Sequence, residues 1–142
     1  MTRLIVALVF ALGLMLRVYF AATVHGIVDV TNFARSADIF AHGGNIYVEQ
    51  FYFNYTGILA LPLVLARAVP LPFDFSWRLL LSLISAGNGI LIARLSRRPA
   101  YVFIAFWLNP AVIYLDGYYG QTEALCMLPL LAAEVVRRSS SA

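Results

Sequence analysis

Carboxylates beside apolar runs are the residues of this chain whose type and position could do chemistry. Asp29, Asp38 and Glu49 follow the first long apolar run, and Asp116 and Glu123 follow a later one. A charged side chain near a bilayer is costly unless it is hydrated or used, so each is a functional candidate. Asp38 and Glu49 fit solvated helix faces, and Asp116 could simply end a helix. Asp29 and Glu123 stand out because each lies where an apolar run meets a segment rich in Tyr, Asn, Gln and Gly.

A carboxylate pair at such a boundary suits sugar transfer from a lipid-linked phosphate, whose glycosidic bond lies just above the headgroups. An aspartate can accept the proton of an attacking hydroxyl group, and an arginine can hold the departing phosphate. Three arginines could hold that phosphate, namely Arg17, Arg35 and Arg78. Composition alone does not select this reaction.

The composition places much of the chain in lipid. Of its 142 residues, 62% are hydrophobic and 12% are charged, against about 45–50% and about 25% in ordinary globular proteins. A soluble domain of this size could not bury so much apolar surface. The net charge of +3 comes from ten arginines against seven acids. Because the arginines lie at the ends of apolar runs, they indicate membrane orientation, and no nucleic-acid partner is expected.

Four apolar runs predict an all-α, polytopic membrane helix bundle. The predicted transmembrane helices are residues 4–24, 77–95, 101–115 and 122–136, and residues 25–76 form an outer loop with juxtamembrane helices. A secretory signal competes for the first run, but its 21 residues exceed the usual apolar core of about 7–15 and favour a retained span. Asn109-Pro110 is expected to kink the third span and to aim the loop after it towards Asp29.

A short amphipathic helix is expected at the membrane surface within the outer loop. Phe33, Ala37, Phe40 and Ala41 fall at helical spacing and would form its apolar face, with polar residues on the other faces. The pair of glycines at 43 and 44 should end this helix.

Arginine positions test the number of spans. With four spans and the N-terminus inside, six arginines lie inside, and Arg35, Arg67 and Arg78 lie outside. If residues 57–72 also span and the N-terminus is outside, the tally is again six to three. Three prolines and Arg67 interrupt that segment, which favours four spans and puts the loops 25–77 and 116–123 on the same outer face.

Two strings resemble segments of the GT-C membrane glycosyltransferases. The string DVTNFARSADIFAHGGNIY, residues 29–47, resembles their first outer loop, in which an aspartate is followed by a phenylalanine, an Ala-rich helix, a glycine and a tyrosine. The string WLNPAVIYLDGYYGQTEAL, residues 107–125, resembles their Asn-Pro helix and the Gly-rich, acid-containing loop after it. The resemblance is greatest to polyprenyl- or dolichyl-phosphate-mannose-dependent mannosyltransferases of the GPI mannosyltransferase I type, and it covers residues 17–138.

This resemblance implies an integral membrane glycosyltransferase that moves a hexose, with mannose favoured, from a polyprenyl-phosphate donor to a lipid or glycan acceptor. The catalytic aspartate of the family falls on Asp29. Arg35, Tyr55, Gln121 and Glu123 would bind substrate. Membrane lipid and the polyprenyl-phosphate sugar are the expected partners, and no cofactor beyond that donor is implied.

The chain departs from the family pattern at several positions. Ile27 replaces the earlier aspartate of an Asp-x-Asp pair, and Thr56-Gly57 replaces a common Pro-Pro. Gly120 and Thr122 lie near where oligosaccharyltransferases carry metal-binding aspartates, so no metal is expected. Enzymes of this kind usually have eight or more spans. The resemblance therefore implies that the chain is the N-terminal part of the module, either a gene fragment or a piece that needs the missing C-terminal half for activity.

Other functions compete with this interpretation. The runner-up is a non-catalytic multi-pass membrane subunit or a truncated, inactive remnant. A transporter is disfavoured because no span carries a central charge pair or an internal repeat in the sequence. The expected location is the plasma membrane for a bacterial chain and the endoplasmic reticulum for a eukaryotic one.

Overall fold

The computed structural model describes residues 2–49 and 59–140. All regular secondary structure in these two ranges is helical, which confirms the predicted all-α class. The helices are α1 Thr2–Thr23, α2 Val28–Ala41, α3 Ile46–Glu49, α4 Ala60–Ala68, α5 Phe73–Arg94, α6 Pro99–Trp107, α7 Pro110–Ile113 and α8 Glu123–Ser139, and a π-helical segment, Tyr114–Tyr119, joins α7 to the loop before α8.

Two of the described helices are long and apolar enough to cross a membrane. These are α1 from Arg3 to Thr23, with a mean hydropathy of 2.4, and α5, with a mean hydropathy of 1.4. Helix α6 and the run Pro110–Tyr119 make a third if they count as one span bent by 50°. Helix α8 has only 17 residues and contains Pro129, so four spans remain a prediction.

The bend lies where the Asn-Pro pair predicts it. Pro110 has no N–H to donate to the preceding turn, so α6 ends at Trp107. Asn109 then caps the next helix, because its Oδ1 accepts a hydrogen bond from the Ala111 N–H at 2.9 Å.

Helix α5 lies at the centre of the bundle, in contact with α1, α4, α6 and α8. It begins at Phe73 rather than at the predicted residue 77. The face of small and polar residues on this helix is buried, including Ser85, Asn88 and Gly89. An added Cβ at Gly89 would lie 3.0 Å from the Phe106 ring, so glycine is what lets α6 pack this closely.

The helices of the outer loop pack on the bundle rather than only lying on a surface. Val30, Phe33 and Ala37 of α2 are buried in one cluster with residues of α4 and α5. The expected apolar face is therefore wrong in part, since Phe40 is 46% exposed and Ser36 is fully buried. The reason is that the part of α2 packed with α4 and α5, which includes Val30, Phe33 and Ala37, lies about one turn nearer its N-terminus than expected.

Helix α2 ends at Ala41, where the two glycines predict its end. Gly43, two residues later, has a φ of +76°, which suits glycine.

The length of α4 bears on the predicted number of spans. Helix α4 has nine residues, a length of about 14 Å at 1.5 Å per residue, or half of the hydrocarbon thickness. Residues 50–58, which precede α4, lie outside the described residues.

The up-and-down order of the helices places two sets of helix ends at opposite ends of the bundle. Helix α1 and the α6–π run rise to one end, from which α5 and α8 descend. We call residues 24–29, 73–78 and 116–123 the acidic end. Residues 2–7, 93–100 and 134–140 form the arginine end.

Candidate functional site

Gln121 and Asp29, two of the predicted site residues, are in contact at the acidic end. The Gln121 Nε2 donates a hydrogen bond to Asp29 Oδ2 at 2.5 Å, across 92 positions of the chain. Asp29 lies in the first turn of α2, where the unpaired N–H groups stabilise a negative charge. Both side chains are half-buried, so the carboxylate is held in place and is still reachable from outside.

The loop that carries Gln121 is fixed by the glycine before it. Gly120 has a φ of +74°, and an added Cβ would lie 2.7 Å from Val30 Cγ2. The Trp77 Nε1 donates to the Gly120 carbonyl at 2.9 Å. Since Val30 follows Asp29 directly, this close approach is what brings Gln121 within reach of the carboxylate.

Arg78 ties three elements together beneath this loop. Its Nε donates to the Tyr118 carbonyl at 3.0 Å, and its Nη1 donates to the Val24 carbonyl at 2.7 Å. Its Nη1 also lies 3.9 Å from Asp74 Oδ2. The side chain is fully buried, and among the described residues its Nη2 has no hydrogen-bond partner. Arg78 therefore anchors the ends of α1 and the π-helical segment to α5.

A second buried charge cluster joins α1 to α6 and to the π-helical segment. Arg17 Nη1 donates to the carbonyls of Gly13 and Trp107, each at 3.1 Å, and its guanidinium lies 3.8 Å from the centre of the Trp107 ring. Its Nε lies 3.7 Å from Asp116 Oδ2. Gly117 allows this approach, because an added Cβ would lie 3.1 Å from the Arg17 Cα.

These contacts correct the expectation for Arg17. The side chain is fully buried and holds the α1–α6 interface, so it is not free to bind a phosphate as the sequence suggested. Its pairing with Asp116 also joins α1 to the π-helical segment. That pair lies towards the acidic end rather than midway along α1.

Glu123 lies beside a small cavity that Asp29 does not line. Together with Ser85, Asn88 and Asp116 it lines a cavity of about 50 Å³, somewhat more than the roughly 30 Å³ that one liquid water occupies. Within the described part of the chain, Asn88 Oδ1 and Asp116 Oδ2 have no hydrogen-bond partner. The expectation that the Asn109-Pro110 bend aims this loop at Asp29 therefore holds for Gln121, while Glu123 faces Asp116.

The remaining predicted residues fall into three situations. Arg35 is exposed on α2, six residues after Asp29 and on a different face of the helix. Asp38 forms an exposed ion pair with Arg67 at 2.6 Å, as a solvated role requires. Tyr55 lies outside the described residues.

Sequence reasoning missed Asp74, which lies between His25 and Arg78. Its Oδ2 is 3.9 Å from His25 Nδ1 and from Arg78 Nη1. Asp74 and Arg78 are four residues apart at the start of an apolar run, a spacing that pairs charges on a helix. This signal is lost when the span is expected to begin only at Trp77.

No metal centre is apparent in the parts of the chain that are described. Across residues 2–49 and 59–140, no group of three or more His, Cys, Asp or Glu side chains could hold a metal ion.

Comparison with known proteins identifies no relative for this chain. No family model matches it, and no similar curated protein or solved structure is found.

Proposed function

We propose that this chain forms part of a membrane glycosyltransferase that transfers a hexose, with mannose favoured, from a polyprenyl-phosphate donor to a lipid or glycan acceptor. The observation that carries the proposal is the hydrogen bond from Gln121 to Asp29. It joins the two segments that resemble the outer loops of GT-C enzymes. Those segments are far apart in sequence, and a shared site requires them to meet.

In the proposed reaction Asp29 is the general base. Its Oδ1 accepts the proton of the acceptor hydroxyl while that oxygen bonds to the anomeric carbon. The bond from this carbon to the phosphate oxygen breaks at the same time, and the phosphate leaves with the electron pair. Because the displacement is direct, the family mechanism inverts the anomeric centre. Gln121 holds the carboxylate in position. The resemblance assigns Tyr55 and Glu123 to contacts with sugar or acceptor, and Glu123 would make them from the separate cavity beside Asp116.

Arg35 is the arginine best suited to the departing phosphate. Arg17 and Arg78 are buried and donate to backbone carbonyls, whereas Arg35 is exposed on α2. Arg35 lies on a different face from Asp29, so the lipid phosphate would approach along the side of α2.

The test is transfer of labelled mannose from polyprenyl-phosphate-mannose in membranes that contain this chain, alone and with the polypeptides encoded beside it. Asp29→Asn should lose at least about 100-fold of the rate, the lower range for general base catalysis. Asp38→Asn is the matched control, because Asp38 lies on the same helix in an exposed ion pair. Equal losses for both variants, or near-normal transfer by Asp29→Asn, would contradict the role of Asp29.

A second candidate function is that of a non-catalytic membrane subunit. It is favoured by Arg78, which within the described ranges donates to the backbone carbonyls of Val24 and Tyr118, as a group with a structural role does. Absence of transfer by the wild-type chain in every combination would favour this candidate.

A further inference from the structure

A groove opens between α1, α5 and α6 at the arginine end. Its volume is about 520 Å³, within the range of roughly 300–1,000 Å³ for ligand sites. Its walls are apolar and include Val6 and Phe10 of α1, Ile90 of α5 and Phe103 of α6. Ile90 is 48% exposed, so the groove is open towards the surroundings of the bundle.

Both charged residues of the lining are arginines at helix ends. Arg3 lies in the first turn of α1, and Arg94 is the last residue of α5. Both therefore lie at the same end of the groove. From Arg3 to Phe10 the α1 wall extends about 10 Å at 1.5 Å per residue, which is about a third of the hydrocarbon thickness of a bilayer.

Among the described residues, no carboxylate pairs with the arginines at this end of the groove. Within the described ranges, Arg3 and Arg94 form no ion pair, nor do Arg97 and Arg98 beside them. The acid of this end, Glu134, already accepts hydrogen bonds from its helix neighbours, at 2.7 and 2.8 Å from Arg137 and at 2.6 Å from Arg138.

This charge distribution decides between two possible occupants. An apolar helix of another protein would cover the walls but would leave two arginines without a counter-charge. A phospholipid with an anionic headgroup covers the walls with an acyl chain and supplies the counter-charge with its phosphate.

We propose that the groove is a binding site for an anionic phospholipid of the surrounding membrane. Arg3 and Arg94 hold the headgroup, and one acyl chain lies along Val6, Phe10 and Ile90. The site is at the opposite end of the bundle from Asp29 and does not depend on the proposed transferase activity.

The test uses the full chain in nanodiscs of phosphatidylcholine with a trace of spin-labelled lipid. Electron paramagnetic resonance then measures the fraction of probe that the protein immobilises. Spin-labelled phosphatidylglycerol should be preferred over spin-labelled phosphatidylcholine by about tenfold, since each basic residue near an anionic lipid favours it several-fold. The preference should fall as salt is raised.

Three variants separate the groove from general surface charge. The double variant Arg3→Gln/Arg94→Gln should lose the preference. The matched control Arg97→Gln/Arg98→Gln removes the same charge outside the lining and should keep most of it. Ala7→Phe fills the groove from an exposed position and should reduce immobilisation of both probes.

Several outcomes would overturn the proposal. These are equal immobilisation of the two probes by the wild type, an equal loss in the control variant, and no effect of Ala7→Phe. A dimer that Ala7→Phe dissociates, without any lipid preference in the wild type, would make the groove a protein interface instead.

Discussion

Replacing Gly120 with alanine should loosen the loop that brings Gln121 to Asp29. Gly120 has a φ of +74°, a conformation that costs an L-residue about 1–2 kcal/mol. The new Cβ would also lie 2.7 Å from Val30 Cγ2, and overpacking of this kind costs about 1–3 kcal/mol. The sum predicts a loss of about 2–5 kcal/mol in the free energy of unfolding.

Gly26 provides a matched control for the backbone part of this cost. Its φ is also +74°, but an added Cβ would meet nothing within 4 Å. Gly26→Ala should therefore lose only about 1–2 kcal/mol. Replacing glycine with alanine also lowers the conformational entropy of the unfolded chain, and this stabilises both variants to the same extent. The difference in unfolding free energy between them therefore isolates the contact with Val30.

The assay is unfolding of the detergent-solubilised chain by increasing sodium dodecyl sulfate, followed by far-ultraviolet circular dichroism. In a Val30→Ala background the contact is gone, and Gly120→Ala should then cost about as much as Gly26→Ala. Equal losses for Gly120→Ala and Gly26→Ala in the wild-type background would refute the packing argument. So would a Gly120→Ala cost that does not change when Val30 is shortened.

Two further predictions concern the charge pair and the topology. Asp116→Ala should destabilise the fold by about 3–5 kcal/mol, because it leaves Arg17 buried without its carboxylate. The double change Arg17→Leu/Asp116→Leu should cost less in the same unfolding assay. A double variant as unstable as the single one would contradict the pairing. In a Cys126→Ala background, the single-cysteine variants Val28→Cys and Glu123→Cys should react with an impermeant maleimide added to one side of the membrane. Arg97→Cys should react only when the maleimide is added to the other side. Reaction of Val28→Cys and Glu123→Cys from different sides would contradict the shared face of the two loops.

Much of the helical layout could be predicted from local sequence. Apolar runs of helical length predict α1 and most of α5, because a helix satisfies its own backbone hydrogen bonds wherever lipid or protein surrounds it. Asn109-Pro110 predicts the bend before α7, since proline lacks an N–H. The glycines at 43 and 44 predict the end of α2. These features depend on residues within a turn or two of each other.

The buried face of α2 could not be predicted in the same way. Helical spacing puts Phe33, Ala37, Phe40 and Ala41 on one apolar face, yet Phe33 and Ala37 are buried while Phe40 is 46% exposed. Which part of the face is buried depends on where α4 and α5 lie, and those helices are distant in sequence. Ser36 is fully buried although it is polar, on a helix that packs against α4 and α5.

What the sequence by itself determined is therefore the class of the protein: a helical, membrane-compatible chain with arginine clusters at the ends of its apolar runs. Only the tertiary structure decided which charged residues are neighbours. Arg17 and Gln121 were both candidates for the site, yet packing buries Arg17 against Trp107 and brings Gln121 to Asp29. The physical reason is that helix propensity acts through nearby residues, whereas these contacts join groups about 90 positions apart. Close approaches such as Gly120 against Val30 set the distances between helices at which such contacts can be made.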